Sequence, residues 1–376
     1  MRRWGMIVTA MVLVPWVVTL FWIRASGIVA VAKTSYEFLS ENLSENLSEN
    51  SSEYEAAAAG EHGTGADEAD GVGRTGIDAA GDQGPEPASG TQEGVTVGAS
   101  PASRKRILME RDGIRTYMDL ENYLPGVIAC QIPAKEDGAA WDDEVWKCQA
   151  VIARTYICRL MEGRSEIYEE ELDMDYLGEN SDLRAGDRKD VMDKLEHAAQ
   201  AAKATEGVVM KYEDRCILPL FHEMSAGRTR TGEEDFPYLV SVDSGQDTKH
   251  PEYIRRMEWT ADDFAAKINQ IPDAAPVSAA QIGGQIQTVQ KDDAGYILQM
   301  KIGAKIYTGD DIQYALGLPS PCFRLEADGD MIRAVVRGRG HGYGLSQNGA
   351  DCMAGEGWGY EDILNHYYKN ISLIFE

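Results

Sequence analysis

Between Met6 and Ile23 the chain carries eighteen residues interrupted only by Thr9, Pro15 and Thr19. This run decides what the remainder can fold into. At about 1.5 Å per residue such a helix spans roughly 27 Å, close to the thickness of a bilayer core. Arg2 and Arg3 precede it, and basic residues before a span favour a cytoplasmic N-terminus. The run therefore reads as a single-pass anchor, with residues 1–5 as a cytoplasmic tip and everything after Ile23 outside the membrane. A cleavable signal peptide is the alternative, because Ala30-Val31-Ala32 is an acceptable cleavage site. The run is longer than the roughly 7–15 apolar residues of a signal peptide and ends at Arg24, which favours the anchor. Either way, the folded part must form outside the cytoplasm.

Residues 24–103 offer no material for a core. They are rich in Glu, Ser, Asn, Ala and Gly, with a short tandem repeat of Ser-Glu-Asn-Leu beginning at Ser40 and again at Ser44. Too little apolar surface is present to offset the entropy of ordering, so the segment reads as an acidic low-complexity linker. A flexible tether of about 70 residues has a root-mean-square reach of roughly 45 Å. That is enough to hold a domain away from the membrane surface.

Residues 104–376 are left to fold. Short β-like runs at Val208–Tyr212, Ile217–Phe221, Pro237–Val242, Tyr296–Ile306, Phe323–Leu325 and Met331–Val336 alternate with helical patterns. Leu120–Ile132 reads as a short helix followed by a strand or turn. Asp142–Met161 reads as a helix with acids in its first turn and Val145, Cys148, Ile152, Tyr156 and Leu160 on one face. Tyr360–Tyr368 reads as a final amphipathic helix. No regular strand–helix–strand repeat is present, so the expected class is α+β, one compact mixed domain. The net charge of −26 argues against a nucleic-acid partner. The six cysteines, at 130, 148, 158, 216, 322 and 352, show neither a zinc-knuckle nor a redox spacing. Outside the cytoplasm disulfides are allowed without being required. Cys216, His222 and His250 could form a metal site on paper, but no ligand spacing supports it, so neither a metal nor a cofactor is expected.

Three segments carry chemistry. The first is Leu120-Glu-Asn-Tyr-Leu-Pro-Gly-Val-Ile-Ala-Cys-Gln-Ile-Pro133, followed by Lys147-Cys-Gln-Ala-Val-Ile-Ala-Arg-Thr-Tyr156. The second is Phe221-His-Glu-Met-Ser-Ala-Gly-Arg-Thr229, followed by Pro237-Tyr-Leu239. The third is Gly338-Arg-Gly-His-Gly-Tyr-Gly-Leu-Ser-Gln-Asn-Gly-Ala350, followed by Tyr360-Glu-Asp-Ile-Leu and His366-Tyr-Tyr368. In this order they resemble the stage II sporulation protein D family, which includes the amidase-enhancer proteins. The resemblance covers nearly all of the outer domain.

The resemblance implies a sporulation-associated role at the cell envelope, of forespore or mother cell, with peptidoglycan glycan strands as ligand. The family's sporulation members are lytic transglycosylases that cut strands stripped of stem peptides. One carboxyl group protonates the glycosidic oxygen and then takes the proton of the sugar 6-hydroxyl, closing a 1,6-anhydro ring. A group serving both steps needs a raised pKa. The family supplies it from Val-x-x-x-Glu-Met-Pro. Here the matching stretch is Val127-Ile-Ala-Cys-Gln131-Ile-Pro133, so an amide stands where the acid is expected.

A primary amide neither gives nor takes a proton near neutral pH, yet Gln keeps the size and hydrogen bonding of Glu. Chemistry is expected to be weakened or lost while glycan binding survives. The alternative is an active transglycosylase with a relocated acid. Glu223, beside His222, is the candidate; Glu136, Asp137, Asp142, Asp143 and Glu144 crowd a lengthened stretch between the first segment's two halves. Surface or capping acids are the plainer reading of these. The resemblance also implies a cleft lined by Arg154, Tyr156, His222, Ser225, His341, Tyr343 and Gln347. For Arg154 a structural ion pair is the competing role. For His341, among alternating glycines at 338, 340, 342 and 344, it is a packed turn. Gln347 opens a helix and either caps it or touches substrate. An inactive binding relative would position or stimulate a separate wall hydrolase, such as an amidase.

The topology is directly testable. The protein is expected to pellet with membranes, and protease added outside protoplasts is expected to remove the domain. Full resistance to external protease would contradict an outward-facing domain.

Overall fold

The computed structural model describes residues 105–111, 113–135, 138–178, 188–282 and 284–376. The anchor run at 6–23, the linker at 24–103, and Glu136 and Asp137 lie outside the described residues. Among the described residues no helix is long and apolar enough to cross a membrane.

The described residues mix helices and sheets, as expected for an α+β fold. A hairpin of β1 (Arg106–Arg111) and β2 (Ile114–Asp119) leads straight into helix α1 (Leu120–Gln131). Helix α2 (Asp143–Met161) follows. Asp142 caps it, accepting the Glu144 N–H at 3.0 Å, and Glu162 ends it in the left-handed region at φ 48°. Strand β3 (Glu166–Tyr168) pairs in parallel with β1. Helix α3 (Arg188–Ala204) closes the first half.

Tyr123, Leu124, Val127 and Ile128 of α1 meet Ala150, Ala153 and Ile157 of α2 and Ala198, Ala201 and Ala202 of α3, all buried in one cluster. The alanine face of α3 lets three helices approach closely. It also explains why the sequence signalled that helix weakly, since its buried side chains are small rather than strongly apolar. Strand β4 (Val208–Tyr212) sits between β5 (Arg215–Cys216) and the C-terminal strand β14 (Ser372–Phe375).

Arg154 ties these parts together. Its Nε and Nη2 donate to the two carboxylate oxygens of Glu121 at 2.7 Å each. Its remaining donors reach Thr205 Oγ1 at 3.3 Å and the carbonyls of Val208 and Ala202 at 3.1 and 3.0 Å. All five N–H groups are engaged, and the side chain is 1% exposed.

A second cluster is built by one continuous stretch. β7 (Ile254–Thr260) runs into α4 (Ala261–Ile268), capped by Thr260. After it come β8 (Ile286–Lys291), β9 (Ile297–Ile302), β10 (Lys305–Thr308), α5 (Gly309–Leu316), β11 (Phe323–Asp328) and β12 (Met331–Arg337). Two three-stranded sheets, ordered β10-β9-β8 and β11-β12-β7, enclose Phe264, Ile268, Met300, Tyr307, Ile312, Phe323 and Ile332.

Between the two clusters runs the parallel pair β6 (Phe221–His222) and β13 (Leu345–Ser346). Helices α6 (Gln347–Gly355) and α7 (Tyr360–Tyr367) complete the fold.

Two strand expectations need correction. Ile217–Phe221 is not one strand: pairing stops at Cys216 and resumes at Phe221, with Pro219, which has no N–H to donate, between. Pro237–Val242 forms no strand. Its carbonyls are met singly: Leu239 accepts the Gly232 N–H at 2.7 Å, Tyr238 the Lys369 N–H at 2.8 Å and Val242 the Thr229 N–H at 3.0 Å, with no ladder between them. All six cysteines are free thiols.

The glycine turn before β13 has a strict steric basis. Gly338, Gly340, Gly342 and Gly344 all have positive φ, from 67° to 97°. A Cβ on Gly344 would lie 1.8 Å from the Leu220 carbonyl oxygen, and one on Gly342 would lie 2.4 Å from the Tyr296 ring. Gly357 has a similar φ, 92°, but open space around it. Gly344→Ala is therefore expected to cost about 4 kcal/mol or more, against roughly 1–3 kcal/mol for Gly357→Ala. Urea unfolding of the full chain in detergent measures both, and equal losses would show that backbone conformation rather than close approach sets the requirement.

Candidate functional site

The site assembles where α1 ends, α6 begins and β6 lies alongside β13. Gln131 closes α1 and is 9% exposed. Its Oε1 accepts from Gln149 Nε2 at 2.7 Å. Gln149 Oε1 accepts from Gln347 Nε2 at 3.1 Å, and the same nitrogen reaches the Gln131 carbonyl at 2.9 Å. Three amides from α1, α2 and α6 thus form a closed neutral chain. Among the described residues, Gln131 Nε2 takes no partner, which leaves that edge of the side chain open. Gln347 does open α6, but Ser346 is the cap, accepting the Gly349 N–H at 3.2 Å.

One residue away, β6 and β13 bring His222 beside Ser346. His222 Nδ1 is 3.1 Å from the Tyr343 carbonyl, while its Nε2 is buried without a partner. His341 lies with its ring centroid 5.7 Å from His222 and stacks on Tyr343 at 5.8 Å. Its Nδ1 accepts the Tyr343 N–H at 3.1 Å, so the packed-turn role is real. The glycines around it approach protein: Cβ atoms there would meet Met224, His222, Tyr296 and Leu220.

Arg230, 4% exposed, lies 4.4 Å from the Tyr343 ring centroid and 5.0 Å from that of Tyr296, and donates to Asp292 at 2.7 Å. Burial pushes His222 down to about 4, partly opposed by Asp247 and the Tyr343 carbonyl. Burial, then the positive fields of His222 and Arg230, holds His341 at about 3. Both rings are neutral at physiological pH.

Ser225 is fully buried. Its Oγ accepts the Gly227 N–H at 3.1 Å and its own N–H donates to Asp247 at 2.9 Å. Glu223 accepts from Arg339 at 2.8 Å, with its other oxygen buried and unpartnered. Arg154 takes up the ion-pair role described above and faces α3 and β4. Tyr156 is half-buried on α2, two turns beyond Gln149, and burial followed by nearby Asp173 raises its hydroxyl. Sequence reasoning passed over Asp247, Gln149, Arg230 and Tyr296. Of these, Gln149 lies inside a quoted motif, and Asp247 carries no local signal at all. Among the described residues no group of three or more His, Cys, Asp or Glu side chains is placed to hold a metal.

Comparison with known proteins bears on this geometry. The family model "SpoIID: Stage II sporulation protein" matches residues 111–212, which contain Gln131, Gln149 and Arg154. Stage II sporulation protein D of Bacillus subtilis (strain 168) is 30% identical over 289 residues, covering 74% of this chain and 80% of that protein. Its namesake from Bacillus amyloliquefaciens is 30% identical over 268 residues, covering 68% and 74%. The chain belongs to the stage II sporulation protein D family. An uncharacterized protein of Brachyspira hyodysenteriae is 24% identical over 266 residues.

The buried histidines set a pH dependence. The folded pKa of His222 lies below the ordinary 6.5, so the unfolded chain binds the extra proton and stability is lost as pH falls from about 6.5 toward 4. Each such histidine contributes a slope of up to about 1.4 kcal/mol per pH unit in that window. Denaturant titrations between these limits are expected to give a shallower slope for His222→Gln than for wild type. An unchanged slope would mean the ring charges as easily folded as unfolded.

Proposed function

We propose that this family member binds peptidoglycan glycan strands at the cell envelope during sporulation, with lytic transglycosylase chemistry weakened or lost. The observation that carries this reading is the state of Gln131. The residue at the family's acid position is a neutral amide, yet it sits at 9% exposure with its Oε1 held at 2.7 Å and its opposite edge open. Buried Ile128 and Ile132 flank it, the partly apolar setting that would raise the pKa of a carboxyl group there. What the amide cannot do is shuttle a proton. The Met6–Ile23 anchor and the tether would keep the domain at the outer membrane face, within reach of the wall. A separate hydrolase, an amidase among the candidates, would act on the strands it holds.

Glu223 is weakly placed to substitute. One of its oxygens is committed to Arg339 and the other is buried away from solvent, whereas a general acid must present its proton to the glycosidic oxygen.

Stem-free glycan strands incubated with purified full-length protein, followed by muropeptide analysis, test the assignment. Wild type is expected to bind strands and release little anhydro-sugar product. Gln131→Glu retains the acceptor for Gln149 and is expected to raise cleavage by about 100-fold or more. Strong cleavage by wild type would overturn the loss of chemistry and make Glu223→Gln the next variant. Failure of wild type to bind strands would overturn the ligand.

A further inference from the structure

The inner face of α3 ends on a lysine. Thr205, just past this helix, bonds Arg154, which holds Glu121 at the start of α1. From there the buried Ala202, Ala201 and Ala198 run along α1 toward its far end. Lys194 is the next residue on that face, one turn before Ala198. It is half-buried, and its Nζ donates to the Ile132 carbonyl at 2.7 Å. Ile132 follows Gln131 directly, so chain geometry holds this nitrogen no farther than about 9 Å from Gln131 Cα.

The amine has no carboxylate in contact. Asp190 lies four residues earlier, a spacing at which a helical acid and lysine can pair. Among the described residues the two form no ion pair, whereas Lys189 and Asp193 pair at 2.5 Å. On α1 the facing group is the Cys130 thiol, which burial, then Asp175, pushes up to about 11. It therefore carries no charge near neutral pH. On α2, Asp143 approaches His197 at 3.7 Å instead. Burial lowers the pKa of Lys194, opposed only in part by Cys130 and Asp190. Capping the end of α1 uses one of the three donors on the ammonium and leaves two. An arginine would cap as well, with a charge that burial cannot remove. The amine differs in being able to lose its proton.

We propose that Lys194 is the general acid–base group for the residual glycan cleavage of this chain, acting from α3 in place of the carboxyl group that Gln131 does not supply. The inference rests on the glycan reading above and names the group behind its weakened chemistry. As an ammonium, Lys194 gives a proton to the glycosidic oxygen while the bond to C1 breaks and its electron pair stays on that oxygen. The neutral amine then takes the proton of the sugar 6-hydroxyl as O6 closes on C1. One C–O bond breaks, one forms, no water is consumed, and the amine ends protonated as it began. An ordinary lysine, with a pKa of about 10.4, is a poor acid at neutral pH, and desolvation brings it closer to the working range.

The experiment follows strand binding and anhydro-sugar release by the full-length protein on stem-free glycan strands. Lys194→Arg keeps the charge and a donor for the Ile132 carbonyl but cannot act as a base. It is expected to retain binding and lower the residual rate about 100-fold, and Lys194→Met should do the same. Lys203→Arg, exposed on the same helix, should leave the rate unchanged. The pH profile separates proton transfer from capping. A carboxyl group loses its proton several pH units below an amine. Wild-type cleavage should therefore persist to higher pH than cleavage by Gln131→Glu combined with Lys194→Arg, whose donor is the new carboxyl group. Undiminished cleavage by Lys194→Arg, an equal loss in Lys203→Arg, or coincident pH profiles would overturn the assignment. So would a wild type that binds strands and releases no product, which leaves the binding reading standing. Strong wild-type cleavage abolished by Lys194→Arg would uphold Lys194 and overturn only the weakened chemistry. Failure of wild type to bind strands would overturn both.

Discussion

Asp247 is a fully buried carboxylate whose hydrogen bonds among the described residues all come from neutral donors, and the architecture of the site depends on how it is satisfied. Its Oδ2 accepts from the Ser225 N–H at 2.9 Å, Ser244 Oγ at 2.9 Å and Ser346 Oγ at 2.8 Å, and its Oδ1 accepts from Asn348 Nδ2 at 2.8 Å. Leaving a buried charge uncompensated costs several kcal/mol, so the carboxylate is tolerable only if all these donors converge. They come from three separated segments, around 225, 244 and 346–348. Convergence of the donors and placement of the segments are therefore one event. Ser346 also caps α6, so the same contact fixes where Gln347 starts that helix and hence where the amide chain to Gln131 runs.

The glycine turn supplies the matching steric condition. With side chains at 342 and 344, the turn could not close onto Tyr296 and the 220–222 strand. Through that closure Tyr296 reaches the Ala226 N–H at 3.0 Å, and Arg230 reaches both Tyr343 and Asp292. The continuous stretch from 254 to 337 is joined in this way to the strand pair that carries His222. Desolvation of the two histidines is a consequence: rings packed in such a turn lose water and stay neutral.

The site joins three neutral amides to two uncharged imidazoles. Arg154 is interior to the helix layer, whereas Asp247, Arg230 and the Glu223–Arg339 pair lie within the site itself.

Much of this was legible in the chain. The helix over 143–161, the last helix, the 297–308 strand pair and the 323–337 hairpin follow from periodicity and capping signals carried by local residues. Family membership follows from three ordered motifs. Asp247 was not legible, because its partners are distant in sequence and each is individually ordinary. Helix α3 escaped notice because its buried face is alanine. Arg154 has the same local surroundings whether it lines a cleft or pairs with Glu121. The sequence by itself determined which class of fold the chain adopts and which family it belongs to. Only the tertiary structure decided which polar residues hold the fold and which remain open to a ligand, because a side chain's role depends on which of its hydrogen-bonding groups the rest of the protein has already engaged.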